Sequence, residues 1–375
     1  MQDFTALELT ADSLLERARK EGAPLIDGER VTFVWHGEHA PELMGDFSGW
    51  GWGGEPVTMT EVESGTGVWT YSLTLPLDAY IQYAYVVDGQ RVRDPFNLRV
   101  KVDSQDEPNS FFEMPDVQHT SLIKRRRKGA HGVMTRHTVE NLFHIVGSNR
   151  RVHLYHPPTT EPVPLLLVLD GQDYIGQGRL LHMVDNLIGQ GRIRPIAMAL
   201  AHHGRQARVV EYGCSESTLA FFVDSVLPLA HENLNLLDID ENPGAYGIMG
   251  ASMGGLMSLY SGLRVPHIFG KVLTQSGAFH IGHHETVVYE LIHSTDVKPL
   301  NIWMDVGQYE YLLGTNDSMY KLLQNKGYNV DFNVFAGGHN YMSWRDDVWR
   351  GLEALFGPER DIITVPSPTK RGEGT

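Results

Sequence analysis

The sequence has a single cysteine, Cys214, among 375 residues, so no disulfide can form within the chain. Structural disulfides are frequent in secreted domains and rare in the reducing cytoplasm. We therefore expect a cytoplasmic protein. Cys214 has neither metal-ligand spacing nor a Cys-His context around it, and we interpret it as a structural residue.

Basic residues are also scarce, with 31 Lys and Arg against 46 Asp and Glu and a formal net charge of −15. Nucleic acids and anionic membrane surfaces both require a basic face, so we expect neither as a partner. The one basic run, residues 124–128, is interpreted as a solvated linker. The N-terminus lacks an apolar stretch of signal-peptide length, and no segment approaches the length of a membrane span.

The pattern that is present predicts two domains. Residues 1–28 resemble a helical lead-in, and residues 29–115 alternate β-branched and aromatic residues between Gly, Pro and Asp turns, which predicts a small all-β sandwich. A linker at 116–130 follows. Residues 131–358 alternate buried-type strands with helical segments, which predicts an α/β domain with a mostly parallel sheet and helices on both faces. Residues 359–375 are expected to be a disordered tail.

The α/β domain contains the segment Gly250-Ala251-Ser252-Met253-Gly254 between a predicted strand and a predicted helix. A G-x-S-x-G pattern at such a junction is typical of a nucleophile elbow. The residues two before and two after the serine touch in so sharp a turn, which excludes a Cβ at either position. Ser252 is thus the candidate nucleophile.

A serine hydroxyl needs a base within hydrogen-bond reach. His339 lies in the loop after the last predicted strand, which is the position of the base when the triad runs Ser, acid, His. The acid belongs after the preceding strand, where Asp305, Glu310 and Asp317 are candidates. Glu310 is preferred because it lies just beyond the strand, with Asp317 second; a dyad without an acid is the remaining alternative.

An oxyanion hole needs backbone donors. The N–H of Met253, directly after the nucleophile, is one candidate, and the N–H of Gln172, in the loop after the first long apolar strand, is the other. This mechanism requires neither a metal nor an organic cofactor.

These motifs carry a family resemblance. The segments LLLVLDGQDY, GASMGGLMSLYSGLRVPHIFGKVLTQSGAF and VFAGGHNYMSWRDDVWRGLEALF resemble the esterase D and enterochelin esterase superfamily of α/β hydrolases, over roughly residues 130–357. The superfamily also holds feruloyl and acetyl-xylan esterases and mycolyltransferases. The resemblance implies an α/β-hydrolase fold, the nucleophile at Ser252, the base at His339, the acid at Glu310 and the oxyanion donors at Gln172 and Met253.

Two further sets of residues follow from the resemblance. An Arg…Glu segment recurs in these esterases, which implies substrate-binding roles for Arg205, Glu211 and Tyr212, although a loop-stabilising ion pair is an equal interpretation. The first domain resembles the immunoglobulin-like modules of glycogen-branching enzymes, through GDFSGW, GVWTYSL and DPFN. If that domain contacts carbohydrate, the stacking residues to test are Trp50, Trp52 and Tyr85.

The sequence therefore predicts a serine esterase that acts on a small-molecule ester of the siderophore, feruloyl or acetyl type. Two alternatives stay open: an acyltransferase of the same fold, and a carbohydrate-binding protein whose hydrolase domain is inactive. The sequence does not indicate an oligomeric state.

Overall fold

The first described element is a helix that covers one end of a β-sandwich. The structure is a computed structural model, and it describes residues 10–52, 55–102, 108–126, 129–141, 143–147 and 149–358. Helix α1 (Ala11–Glu21) begins where the Thr10 hydroxyl accepts the Ser13 N–H, at 3.3 Å. Its apolar face packs on strand residues such as Val34 and Val68. This helix lies within the predicted helical lead-in at 1–28.

Two antiparallel sheets follow, in agreement with the predicted sandwich. The first has the order β1-β2-β6-β5, and the second β4-β3-β7-β10-β9 with β8 paired to β7. The strands are β1 (Leu25–Asp27), β2 (Arg30–His36), β3 (Glu42–Gly45), β4 (Val57–Thr58), β5 (Thr60–Glu61), β6 (Val68–Thr74), β7 (Tyr80–Val87), β8 (Gln90–Val92), β9 (Val100–Val102) and β10 (Pro108–Glu113).

An aromatic core joins the two sheets. Phe33 of the first sheet contacts Tyr83 and Phe112 of the second, with ring centroids 4.9 and 5.8 Å apart in edge-on geometry. Edge-on pairs of buried rings add about 0.5–1.5 kcal/mol each beyond the burial of their surface. The aromatic residues that drive the strand prediction therefore form the centre of the sandwich.

The second domain is an eight-stranded sheet in the order β11-β12-β14-β13-β15-β16-β19-β20. The pairs β11–β12 and β12–β14 are antiparallel and the other neighbours are parallel. The strands are β11 (Val133–Glu140), β12 (Asn149–His156), β13 (Leu165–Val168), β14 (Ala197–Ala201), β15 (Tyr246–Ala251), β16 (Phe269–Gln275), β19 (Asn301–Gly307) and β20 (Asn329–Phe335), while β17 (His280–Ile281) and β18 (His284–Glu285) form a separate small hairpin.

Helices cover both faces of this sheet, as predicted. Alternate residues of one strand enter opposite cores, so that Leu165 and Leu167 face one set of helices and Leu166 and Val168 face the other. The helices are α2 (Gly171–Gly176), α3 (Leu180–Gly189), α4 (Arg208–Tyr212), α5 (Glu216–Phe221), α6 (Leu227–Asn233), α7 (Met253–Arg264), α8 (Val287–Ser294), α9 (Leu313–Lys326) and α10 (Tyr341–Phe356). Within the described ranges, none of the helices is long and apolar enough to cross a membrane.

The predicted linker at 116–130 packs on α3 near Leu122. Leu122 is buried, and the Asn186 side chain on α3 donates to the backbone carbonyls of Leu122 and Lys124. The end of the basic run, Arg127 and Lys128, lies outside the described residues, as does the predicted tail at 359–375.

Candidate active site

The predicted functional residues follow neighbouring strands at one edge of the sheet. Gln172 follows β13, Ser252 follows β15, Glu310 follows β19 and His339 follows β20. These strands, with β16 between β15 and β19, stand side by side and run parallel. Because the carboxyl ends of parallel strands meet at one edge, the topology gathers residues that are far apart in the chain.

Ser252 occupies a strained turn between β15 and α7. Its backbone has φ 58° and ψ −122°, a conformation that residues other than glycine rarely adopt. The Ser252 N–H donates to the Gln275 carbonyl at 2.8 Å, which anchors the turn to β16. A Cβ on Gly250 would lie 2.6 Å from the carbonyl carbon of Gly254, closer than any real contact. The predicted steric reason is thus confirmed for Gly250, whereas a Cβ on Gly254 would lie 3.2 Å from Oδ2 of Asp170.

His339 and Glu310 are in direct contact. The Nδ1 atom of His339 lies 2.7 Å from Oε2 of Glu310, whose side chain is buried. If Nδ1 carries the proton and donates it to Glu310, Nε2 is left with a free lone pair. The arrangement therefore leaves His339 able to accept a proton on the side away from Glu310.

The other carboxylate oxygen of Glu310 is held by two donors. Its Oε1 accepts from the Gly307 N–H at 2.8 Å and from the Ser276 hydroxyl at 2.6 Å. The Trp344 indole N–H donates in turn to the Ser276 oxygen at 2.8 Å, and the Trp344 ring packs edge-on against His339, with centroids 4.9 Å apart. Ser276 and Trp344 were not predicted from the sequence, although Ser276 directly follows β16 and Trp344 lies near His339 in the chain.

The two other candidate acids are placed elsewhere. Asp305 is fully buried and accepts from the side chains of Gln275 and Trp303. Burial and nearby Asp347 raise the pKa of Asp305 well above its usual value. Asp317 lies on α9 and pairs with Lys321 at 2.6 Å, with 42% of its side chain exposed. Of these three carboxylates, Glu310 is the one that contacts His339.

The two candidate oxyanion donors lie at helix N-termini. Met253 is the first residue of α7 and Gln172 the second residue of α2. N–H groups in the first turn of a helix have no acceptor within the helix and are free for another one. The Gln172 side chain accepts the His203 N–H at 3.3 Å, which ties this loop to the end of β14.

A partly buried arginine connects the two loops that carry these donors. Arg208 donates to both carboxylate oxygens of Asp170, at 2.7 and 2.6 Å, and to the Ala251 carbonyl at 3.0 Å. Asp170 is fully buried directly before α2, and Ala251 directly precedes Ser252. Arg208 was not predicted from the sequence, in which its position after β14 is the one signal that it gives.

Comparison with known proteins assigns the chain to a family. Residues 144–355 match a family model described as "Putative esterase", and this is more than half of the chain. The chain belongs to this esterase family. The resemblance identified from the motifs is thus confirmed.

Curated relatives of this esterase share part of its length. An iron(III) enterobactin esterase of Dickeya dadantii is 29% identical over 230 residues, which are 56% of this chain and 52% of that protein. An iron(III) enterobactin esterase of Escherichia coli K12 is 26% identical over 220 residues, 56% of this chain and 54% of that protein. The chain therefore spans about half the length of these curated relatives.

A solved structure extends the likeness to both domains. The crystal structure of a ferric enterobactin esterase from Salmonella typhimurium superposes with a TM-score of 0.69 at 22% identity, covering 87% of this chain and 93% of that one. At this identity the likeness shows the fold. The predicted α/β-hydrolase fold, preceded by an all-β domain, is thus confirmed.

The residues to which the sequence assigned substrate binding are only partly accessible in this esterase. Glu211 is buried and ion-paired with Arg150, and Tyr212 is buried with its hydroxyl accepting the Asp170 N–H at 3.3 Å. Glu211 and Tyr212 would therefore affect substrate binding indirectly, through the positions of Arg150 and Asp170. Arg205 is exposed and does not form the predicted kind of ion pair with Glu211, whose partner is Arg150.

Two open cavities flank the loops of the esterase site. A cavity of about 360 Å³ is lined by Arg151, His202, His203 and Arg205 among others, and His203 bonds to Gln172. A cavity of about 380 Å³ is lined by Cys214, Ile281 and Val287 among others. Burial raises the pKa of the Cys214 thiol to about 12, in agreement with a structural role.

Among the described residues, Asp170, Asp173 and His203 form a group with the composition of metal ligands. Both oxygens of Asp170 already bond to Arg208, whose positive charge takes the place that a cation would need. The group therefore fits an ion-pair network better than a metal centre.

The three aromatic residues proposed for carbohydrate stacking differ in exposure. Tyr85 is fully buried in the sandwich core with its hydroxyl donating to the Val34 carbonyl at 3.1 Å, so its expected role was wrong. Trp50 is partly buried and carries Arg91 on its face, whereas Trp52 is 78% exposed. Among these three, Trp52 alone presents an open ring.

Proposed function

We propose that this protein is a serine esterase that hydrolyses a small-molecule carboxylic ester through an acyl-serine. The observation that carries the proposal is the His339–Glu310 contact, at 2.7 Å, on the same sheet edge as a serine in a strained elbow. A nucleophile, a base and an orienting acid are the parts that acyl transfer from a serine requires.

The mechanism uses these residues in order. His339 Nε2 takes the proton of Ser252 as its oxygen attacks the ester carbonyl, and Glu310 stabilises the imidazolium that forms. The Met253 and Gln172 N–H groups bond the tetrahedral oxyanion. His339 then protonates the leaving alcohol, and water activated by His339 releases the acid from Ser252.

We further propose that the ester carries negative charge. The cavity beside Gln172 presents Arg151 and Arg205 with two histidines, so an anionic group seated there would hold the ester carbonyl near the oxyanion donors. Three curated relatives are named iron(III) enterobactin esterases, and siderophore esters belong to the substrate classes that we propose. The cytoplasmic location and sugar contact through Trp52 stay predictions.

The experiment compares wild type with Ser252→Ala on p-nitrophenyl butyrate and on mono-p-nitrophenyl succinate, which adds a carboxylate. We expect Ser252→Ala to lower kcat by about 10⁶-fold, and a fluorophosphonate probe to label Ser252 in wild type, as read by peptide mass spectrometry. The succinate is expected to give the lower KM. Labelling elsewhere, or hydrolysis that survives in the variant, would exclude this mechanism.

Added acceptor alcohols separate hydrolysis from acyl transfer in the same assay. Free acid as the main product supports the esterase, while an ester of the added alcohol supports the transferase. Folded wild type that neither hydrolyses nor labels would support an inactive hydrolase domain.

A further inference from the structure

The loop that carries His339 rests against a buried carboxylate of the other domain. Asp46, directly after β3 of the sandwich, is 2% exposed. A Cβ on Gly338 would lie 2.0 Å from the carboxyl carbon of Asp46, so the two residues are packed as closely as a glycine permits. Gly338 is the residue before His339, and its conformation therefore determines where the imidazole lies.

Asp46 is itself firmly held within the sandwich. Its Oδ1 accepts the Trp50 indole N–H at 2.8 Å, and its Oδ2 accepts the Gln82 backbone N–H at 2.8 Å. Both donors belong to the sandwich, one from the turn after β3 and one from β7. The carboxylate thus has a fixed position from which to support the loop.

Two other contacts join the sandwich to the same loop region. The Tyr80 N–H donates to the Ala336 carbonyl at 3.2 Å. A Cβ on Gly49 would lie 3.2 Å from Cβ of Tyr311, and the Tyr311 ring packs on His339 with centroids 5.8 Å apart. The sandwich therefore contacts the His339 loop before the histidine and supports the histidine ring from the side.

We infer that Asp46 is a positioning residue for His339, and that the sandwich completes the catalytic site. The inference rests on the proposed esterase function. In this arrangement Asp46 fixes the His339 loop by packing against Gly338, and its negative charge favours the imidazolium that forms when His339 takes the serine proton.

The charge of Asp46 is sensitive to pH near neutrality. Burial raises its pKa to about 7, against the lowering effect of the Gln82 and Trp50 hydrogen bonds. Glu310 also raises this pKa and His339 lowers it. Tyr80 on β7 also lies near Asp46, and burial together with Asp46 raises its own pKa. Arg91 lies over the ring of Trp50, which donates to Asp46. The burial of Asp46 thus places its change of charge near neutral pH.

The test compares Asp46→Asn with a matched control in the same domain. Asp94 is also a buried sandwich carboxylate, and it accepts the Tyr83 hydroxyl at 2.7 Å and the Phe96 N–H at 2.8 Å. We expect Asp46→Asn to lower kcat for p-nitrophenyl butyrate by about 10- to 100-fold with little change in KM, the size expected for a misplaced catalytic group. Asp94→Asn is expected to change thermal stability and leave kcat within about twofold.

The pH profile distinguishes positioning by charge from packing alone. Above pH 8 the wild-type carboxylate is ionised and the ratio of wild-type to Asp46→Asn kcat is expected to be largest. Below pH 6 the wild-type group is protonated and as neutral as asparagine, so the ratio should fall towards one. A ratio that does not depend on pH would overturn the electrostatic part of the inference.

A double variant tests the contact itself, including the case in which Asp46→Asn folds poorly. Gly338→Ala should lower kcat in the wild-type background, because its methyl group would strike the Asp46 carboxyl. In the Asp46→Ala background the methyl group has room. Adding Gly338→Ala to that variant should therefore change kcat by no more than about twofold. An equal loss in both backgrounds would overturn the contact.

Hydrogen exchange of residues 336–340 separates this inference from the proposed function. Faster exchange in Asp46→Asn than in Asp94→Asn supports the positioning of the loop even if wild type proves to be no esterase. An active wild type whose kcat and loop exchange are unchanged by Asp46→Asn would overturn the inference and leave the esterase in place.

Discussion

The two halves of the candidate site are stabilised from different sources. The elbow half is fixed within the α/β domain, because Arg208 bonds to Asp170 before Gln172 and to Ala251 before Ser252. The histidine half is fixed partly from outside that domain, because Asp46 of the sandwich packs against Gly338.

The two halves of the site also perform different parts of the proposed reaction. The elbow half holds the nucleophile and the oxyanion donors, whose backbone positions follow from the sheet and its first helical turns. The histidine half moves protons and needs a ring nitrogen at hydrogen-bond distance, about 2.6–3.2 Å, from the serine oxygen. The more demanding half has the support of two domains.

The largest effect is expected from Glu310→Gln within the histidine half. Glutamine keeps the shape but loses the charge that stabilises the imidazolium and the preference for a proton on Nδ1, so kcat should fall by about 10³- to 10⁴-fold. The measurement is kcat for p-nitrophenyl butyrate at pH 8.

Asp317→Asn is the control for that variant, since Asp317 is exposed and paired with Lys321. Its kcat should stay within about twofold of wild type, because an exposed pair contributes little. A large loss in Asp317→Asn with a small one in Glu310→Gln would reverse the assignment of the acid.

The next effect concerns the elbow half and is measured as stability. Arg208→Met leaves the fully buried Asp170 carboxylate without its cation, and breaking a buried pair in this way costs about 3–5 kcal/mol of the free energy of unfolding. Urea denaturation monitored by circular dichroism gives this value.

Arg264→Met is its matched control, because Arg264 pairs with the exposed Glu216 at 2.8 Å. A loss of no more than about 1 kcal/mol is expected there. If Arg208→Met and Arg264→Met lower the free energy of unfolding equally, the bonds of Arg208 to the two loops do not stabilise the protein more than an exposed ion pair does.

A smaller effect is expected in the sandwich, where buried Asp94 should make stability depend on pH. Burial raises the pKa of Asp94 from 3.8 to about 6. The folded protein therefore keeps this proton to higher pH than the unfolded chain does. The contribution of Asp94 to the free energy of unfolding is present below about pH 4 and should fall by about 3 kcal/mol as pH rises to about 6. Asp94→Asn removes this component.

The measurement is urea unfolding of wild type and Asp94→Asn at intervals from pH 4 to 8. The difference in unfolding free energy between the two proteins should change across pH 4 to 6 and stay constant above that range. A constant difference over the whole range would mean that Asp94 does not titrate as its burial indicates.

The sequence was sufficient for much of the site because its signals are local. The requirement for Gly250 has a steric cause within five residues. The rule that parallel strands place their following loops at one edge puts Gln172, Glu310 and His339 at the same edge of the sheet as Ser252. The preference for Glu310 over Asp305 follows the same rule, since Asp305 lies inside β19 and its side chain faces other partners.

The residues that were missed depend on contacts between distant segments. Asp46 belongs to GDFSGW, which the sequence indicates only as part of a β module, and its contact with Gly338 exists only once two domains dock. Tyr85 shows the opposite error, because alternation identifies the strand without telling which aromatic face is inward.

The Tyr80–Ala336 bond and the Asp46–Gly338 contact have a consequence for dissecting the protein. A fragment beginning at residue 131 would retain the whole eight-stranded sheet and both of its cores. In this fragment Tyr309, which packs on the sandwich in the whole chain, would be exposed to water. The loop that carries His339 would lose its contact with Asp46. The smallest piece of this chain that folds and the smallest piece that catalyses are therefore expected to be different pieces.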